Sequence, residues 1–248
     1  MKRTRPSLTE KTARARAMFG LNPRSENGIS AQDAALASAR IDDTLLTGQV
    51  AIVSGPSGSG KTTVLRALST LLGDRAVVVS MAPTGHRAAK NDSVVDLFRS
   101  PLDLTIRLLS LAGLADAAVF TRRPRELSEG QRWRLGLALA MERVGGLAGQ
   151  SECDASSSSP APVTLIVDEF ASTLDRTTGM CVAVSLRRWL SRCDRVRIVA
   201  ATSHDDMVEW LSPEVLVGTR NLRQKGAQGT GEDPRTPEVL LGAKRSTT

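Results

Sequence analysis

The run Gly55-Pro56-Ser57-Gly58-Ser59-Gly60-Lys61-Thr62 constrains this chain more than any other feature. It fits the phosphate-loop pattern G-x-x-x-x-G-K-[ST] without a mismatch. Its flanks fit as well. Gln49–Ser54 is an apolar run that ends at the loop, and Thr62–Leu72 carries apolar residues at helical spacing (Val64, Leu65, Leu68, Leu71, Leu72). A strand, a glycine-rich loop and a helix in that order predict an α/β sheet of mostly parallel strands flanked by helices. The glycines let backbone N–H groups turn toward phosphate oxygens where a side chain would clash. The helix start, including Thr63, adds its own N–H groups and partial positive charge. Lys61 is placed to reach the β- and γ-phosphates of a nucleotide, and Thr62 to hold Mg²⁺ through its hydroxyl.

Two further strand ends extend the site. Val163–Val167 is a short β-branched run that ends in Asp168-Glu169. Acidic residues leaving a buried parallel strand land beside the phosphates in such a sheet. Asp168 suits the Mg²⁺ shell, and Glu169 suits the orientation or deprotonation of the attacking water. The run Val196–Ala201 leads into Thr202-Ser203-His204. His204 therefore reads as a γ-phosphate sensor, with Ser203 as a helix N-cap for residues 204–211. His86 lacks such a setting and reads as a loop residue.

A third string, Leu127-Ser128-Glu129-Gly130-Gln131, opens a segment with helical spacing to about Val144. Together these strings resemble the ATP-binding cassette (ABC) ATPases over roughly residues 40–220. The resemblance makes 55–62 the Walker A loop, 163–169 the Walker B strand and 127–131 the signature. Ser172-Thr173-Leu174-Asp175 becomes the D-loop and His204 the switch histidine. It implies ATP and Mg²⁺ as cofactors and ATP hydrolysis as the activity. It also implies a small helical subdomain carrying the signature, from helices within residues 91–121. Because Ser128, Gly130 and Gln131 would form a second anion site, the resemblance implies an ATP-dependent homodimer. Each signature, with Asp175, then serves the partner's nucleotide. The plainer reading of Ser128-x-x-Gln131 is a capping box on an ordinary helix.

The chain departs from the family in four places, the first being Glu129 in the signature, where the family usually has Gly. No glutamine lies between the first helix and the signature, where Met81-Ala82-Pro83 stand. Little chain is available for an antiparallel β-subdomain, so a reduced one is expected. No tyrosine exists in the chain, and no aromatic lies shortly before Walker A to stack on adenine. The text Arg122–Gln131 and Asp168-Glu169-Phe170 resembles a soluble, non-transporter branch whose members often carry an acetyltransferase-like domain. The expected function is a cytoplasmic ATPase whose dimer closure acts on a nucleic acid or protein partner. The alternative is the nucleotide-binding subunit of a membrane transporter.

Composition bounds the rest. A chain of 248 residues with 41% hydrophobic content suits one α/β domain with tails. No apolar run approaches the roughly 18 residues of a membrane span, so no membrane insertion is expected. Three cysteines without metal or redox spacing fit a reducing compartment. Net charge is +7, and the arm 1–24 supplies most of it, with seven basic residues against Glu10. Such an arm can meet DNA or RNA phosphates, dock on a protein, or simply stay solvated. An Arg-rich, acid-poor start also resembles an organelle transit peptide. The expected organisation is the arm 1–24, an ATPase domain 25–220 with a flexible inserted loop 145–162, and a disordered tail 221–248.

Overall fold

The computed structural model describes residues 9–11, 14, 18, 29–80, 92–150, 161–219 and 239–241. Its centre is a six-stranded sheet in the order β2-β3-β4-β1-β5-β6. The strands are β1 (Val50–Ser54), β2 (Ala76–Val78), β3 (Val163–Val167), β4 (Val196–Thr202), β5 (Val215–Gly218) and β6 (Val239–Leu241). The first five run parallel, and β6 pairs antiparallel with β5. A mostly parallel sheet flanked by helices is what the sequence reading expects.

β1, β3 and β4 are near-continuous apolar runs because helices cover both faces of the sheet. Alternate residues feed two separate cores. Val50, Ile52, Leu165 and Ile198 join one cluster, while Ala51, Val53, Ile166 and Val199 join the other. The second cluster is closed by helices α1 (Ala31–Thr44) and α2 (Lys61–Leu72). The first is closed by α3 (Leu102–Leu111), α4 (Ala117–Phe120), α5 (Glu129–Gln150), α6 (Arg176–Leu190) and α7 (Asp205–Leu211).

α1 stands immediately before β1. Among the described residues no antiparallel subdomain precedes β1. Ser30 caps α1 by accepting the Asp33 N–H at 3.0 Å. Ala34, Ala37, Ser38 and Ile41 form its buried face. The small residues let α1 lie close to α2, and Ser38 Oγ sits 2.7 Å from Ala34 O and 3.1 Å from Val64 O. Arg197, the second residue of β4 and 2% exposed, holds the other end. Its Nη1 donates to Asp42 O at 3.0 Å and Leu45 O at 2.8 Å, satisfying carbonyls at the end of the helix. Nε donates to Thr164 Oγ1 at 2.9 Å, and Nη2 pairs with the Asp42 carboxylate.

Several boundaries differ from the sequence reading. α5 runs past Val144 through Gly145 and Gly146 to Gln150, into the expected loop 145–162. Each glycine costs a helix about 1 kcal/mol, but Leu147 and Ala148 pack on the core and offset it. Residues 151–160 lie outside the described residues. Val239–Leu241 forms β6 inside the expected tail 221–248, because the exposed edge of β5 supplies ladder partners to a short apolar run. In α3 the buried residues are Thr105, Leu108 and Leu109, whereas Leu102 and Leu104 stay exposed. Of the arm 1–24, Glu10, Lys11, Arg14 and Met18 are described and helical.

Candidate functional site

Register brings the predicted residues to one edge of the sheet. β4 lies between β1 and β3, with Ser54 opposite Thr202 and Val167 opposite Ala200. The phosphate loop, Asp168-Glu169 and Ser203-His204 therefore leave three neighbouring strands at their C-terminal ends, where ligands bind in open α/β sheets.

Residues 55–60 turn from β1 into α2. Gly60 holds the N-cap position of α2 at φ 100°, with no side-chain cap bond. A methyl group there would run into Ile29, just ahead of α1. An uncapped helix start leaves N–H groups free to face an anion. Lys61 is 8% exposed, and its Nζ donates to Gly55 O at 2.8 Å and Pro56 O at 3.0 Å. The ammonium is thus held over the loop by two carbonyls from the loop itself. Ser57 and Gly58 are exposed, Ser59 is fully buried, and Thr62 and Thr63 sit in the first turn of α2 with Thr63 exposed.

Asp168 caps the turn that follows β3, its Oδ1 accepting the Glu169 N–H at 3.0 Å. Glu169 (φ 49°) and Ala171 (φ 55°) both occupy the left-handed region. Side chains seldom adopt that region, and such strain persists only where the surroundings enforce it. Here Phe170, between them, is fully buried and donates its N–H to Ala201 O at 2.8 Å. Glu169 itself is exposed at the sheet edge. His204 is exposed and holds the N-cap position of α7, its own N–H bonded to Thr202 Oγ1 at 3.1 Å. The expected Ser203 cap is therefore one residue early, since Thr202 Oγ1 already ties down the turn.

The signature lies at the start of α5. Ser128 Oγ accepts the Gln131 N–H at 3.2 Å, and Gln131 Oε1 accepts the Ser128 N–H at 2.9 Å. That reciprocal pair is a capping box, so the plainer reading of these residues holds. It does not consume the site: Ser128 and Glu129 remain exposed. Gly130 lies against Thr173 O and the Leu174 side chain, where a methyl would be tight at 3.1–3.2 Å. Signature and D-loop are thus in contact within one chain. Arg134 fastens that corner, donating from Nη1 to Gly113 O at 2.6 Å and from Nε to Gly130 O at 3.2 Å. Asp175 caps α6 by accepting the Thr178 N–H at 3.0 Å. The Thr178 side-chain hydrogen bond first, and this backbone bond second, hold its carboxyl below the ordinary carboxylate value.

The segment 81–91, where the family carries its glutamine, lies outside the described residues. Among the described residues no cluster of three or more His, Cys, Asp or Glu side chains could hold a metal by itself. A cation at this edge would be shared by Thr62, Asp168 and nucleotide phosphates, a donor set of oxygens that suits Mg²⁺. The sequence reading missed Thr219, at the end of β5, whose hydroxyl touches the loop from beneath.

No protein-family model matches the chain. Sequence relatives include the phosphonates import ATP-binding protein PhnC of Hyphomonas neptunium, 28% identical over 191 residues, covering 62% of this chain and 66% of the relative. The methionine import ATP-binding protein MetN of Thermobifida fusca is 28% identical, covering 78% of this chain and 64% of the relative. The sulfate/thiosulfate import ATP-binding protein CysA of Nocardia farcinica is 29% identical, covering 79% and 62%. The chain thus spans slightly under two thirds of the length of these curated relatives. Among solved structures, the ATP-binding cassette MJ0796, dimeric in a post-hydrolysis state with ADP and Pi, superposes with a TM-score of 0.51 at 17% identity. It covers 71% of this chain and 82% of that one. The fold is that of an ATP-binding cassette.

Proposed function

We propose that this chain, an ATP-binding cassette by fold, binds and hydrolyses ATP·Mg²⁺ in a two-fold dimer and powers transport through a partner that carries the membrane spans. The observation that supports the dimer is that one chain carries two separate helix starts that could each face an anion. The phosphate loop of residues 55–63 is complete, and the helix start Ser128–Gln131, with Ser128 and Glu129 exposed, lies on the separate helical layer. A second copy with its own loop would give the signature a nucleotide to meet, in a closed isologous arrangement. ATP then stabilises the dimer by mass action, and loss of the γ-phosphate loosens it.

Within each site Lys61 neutralises the β- and γ-phosphates, and Thr62 and Asp168 hold Mg²⁺, which offsets charge on the transferred phosphoryl group. Glu169 orients the attacking water and accepts its proton, and His204 reads the γ-phosphate. Ser128, Gly130, Gln131 and Asp175 complete the partner's site. Opening the capping box would free Ser128 Oγ for a phosphate oxygen without moving the helix.

The transport reading rests on the relatives, which are all import ATP-binding proteins. No helix among the described residues is long and apolar enough to cross a membrane, so the spans would come from the partner. Such a subunit works on the cytoplasmic face. The second reading is an ATP-driven clamp on DNA, RNA or a protein, as in the soluble branch. Two observations favour it: the basic arm 1–24 and α1 standing before β1.

The test is steady-state ATPase activity with Glu169→Gln as the blank, alongside light scattering in ATP·Mg²⁺. Removing the general base lowers kcat at least about 100-fold, while ATP binding persists and the dimer accumulates. A Glu169→Gln chain that stays monomeric with ATP·Mg²⁺ would refute the composite site. Salt-sensitive stimulation by duplex DNA, with no membrane subunit co-purifying from native membranes, would overturn transport in favour of the clamp.

A further inference from the structure

The phosphate loop is supported from a part of the chain that no motif includes. Thr219 follows β5, is fully buried, and lies 165 residues beyond Ser54 in sequence. Its Oγ1 is 3.1 Å from Ser54 O and 2.6 Å from Ser59 Oγ. A hydroxyl carries one proton and two lone pairs. Donation to Ser54 O therefore leaves the Thr219 oxygen to accept the proton of Ser59. Both ends of the loop are held at once, because Ser54 is the last residue of β1 and Ser59 precedes Gly60 by one.

The same side chain explains Gly55. A methyl group on Gly55 would overlap Thr219 Oγ1, so the hydroxyl occupies the space a side chain would need. Gly55 O is in turn one of the two carbonyls that hold Lys61 Nζ. A continuous path runs from Thr219 through Gly55 to the lysine ammonium, and a second runs through Ser59 to Gly60 and the start of α2. Ser59 is itself fully buried, so its hydroxyl has no water to replace a lost partner.

We infer that Thr219 is a positioning residue for nucleotide binding: its hydroxyl sets the loop conformation that presents Lys61 and the α2 N–H groups to the phosphates. It touches no nucleotide and acts only through the loop. The inference rests on reading residues 55–63 as the nucleotide loop, and the experiment separates the two. Thr219→Val keeps shape and removes the hydroxyl, whereas Thr219→Ser keeps the hydroxyl. Hydrogen exchange of residues 55–63 is followed in the nucleotide-free chain, together with ATP affinity, kcat at saturating ATP and Tm.

Thr219→Val should speed exchange across the loop and weaken ATP binding by about tenfold, the scale expected for one stranded buried hydroxyl. Because ground state and transition state lose the same support, KM rises with kcat nearly constant. Thr219→Ser should restore loop protection and KM. If Thr219→Val lowers Tm yet leaves loop exchange and ATP affinity as they were, the residue is merely structural and the inference is overturned. A serine variant as impaired as the valine variant overturns it too. Should the parent chain bind no ATP while Thr219→Val still loosens the loop, the nucleotide reading fails and takes the role in nucleotide binding with it, while the hydroxyl's hold on the loop stands.

Discussion

Trp133 and Phe170 meet edge to face, with ring centroids 5.6 Å apart and planes at 88°. Trp133 lies in the second turn of the signature helix, and Phe170 directly follows Glu169. One aromatic pair thus joins the turn that carries the proposed base to the helix that would serve the partner's nucleotide. Both rings are nearly or fully buried, at 6% and 0% exposure. Such pairs are worth about 0.5–1.5 kcal/mol beyond their burial. A double-mutant cycle with Trp133→Leu and Phe170→Leu, read by denaturant unfolding, should return a coupling in that range. Phe170→Leu should also lower kcat, since it loosens the turn that keeps Glu169 in the left-handed region. Full activity in Phe170→Leu would show that the turn holds without the ring.

Gly60→Ala should abolish nucleotide binding while the chain stays folded. An alanine at φ 100° costs about 1–2 kcal/mol, and its methyl would also collide with Ile29. Fluorescent-nucleotide titration with a circular dichroism check decides it. Tight binding by the alanine variant would mean that the loop tolerates another conformation.

Arg197→Met should destabilise the fold by roughly 3 kcal/mol, because it strands the Asp42 and Leu45 carbonyls and leaves Asp42 without its buried partner. Damage should fall first on α1, the element those carbonyls end. Limited proteolysis should cut near residues 29–46 before any site in the sheet. A variant of unchanged stability would mean that α1 is held by its packing on α2 alone.

Asp175 provides a pH dependence. Its carboxylate is stabilised by the Thr178 side-chain and backbone bonds, so its folded value lies below its ordinary 3.8. A depressed carboxyl favours the folded state above its ordinary value, and that favour fades as pH falls through the folded value. The cap on α6 should therefore weaken only in acid, below about pH 4. Asp175→Asn keeps a capping oxygen without a charge. Its stability relative to the parent chain should improve as pH drops through that window. A constant difference from pH 6 to pH 3 would disprove the assignment.

Ser128→Ala removes one half of the capping box and should cost about 1 kcal/mol of stability. Ser128→Arg should instead leave single-chain ATP binding intact and abolish the ATP-held dimer. If both variants lose stability equally and neither affects dimerisation, the signature works only as a cap.

The loop, the acidic strand end and the strand before His204 were legible because each joins a local backbone requirement to a chemical one. Gly60 must reach a positive φ, Lys61 must follow it, and β3 must end where Asp168 leaves the sheet. Those demands recur within a few residues, so spacing alone carries them. α1 was not legible as a packed helix ahead of β1, because its alanine-rich face acquires meaning only against α2. Arg197 reads as a polar interruption in an apolar strand until the end of α1 supplies its carbonyls.

Local chemistry therefore determined the nucleotide loop, its helix and the parallel sheet they demand, since a phosphate cradle needs its glycines and its lysine side by side in the chain. Tertiary structure alone decided that Thr219 lies under Gly55, that Trp133 meets Phe170 and that β6 closes the edge of β5. Those contacts join segments from a few tens to more than a hundred residues apart. Partners so distant leave no periodicity in either segment, and their energy exists only once the sheet has brought them together.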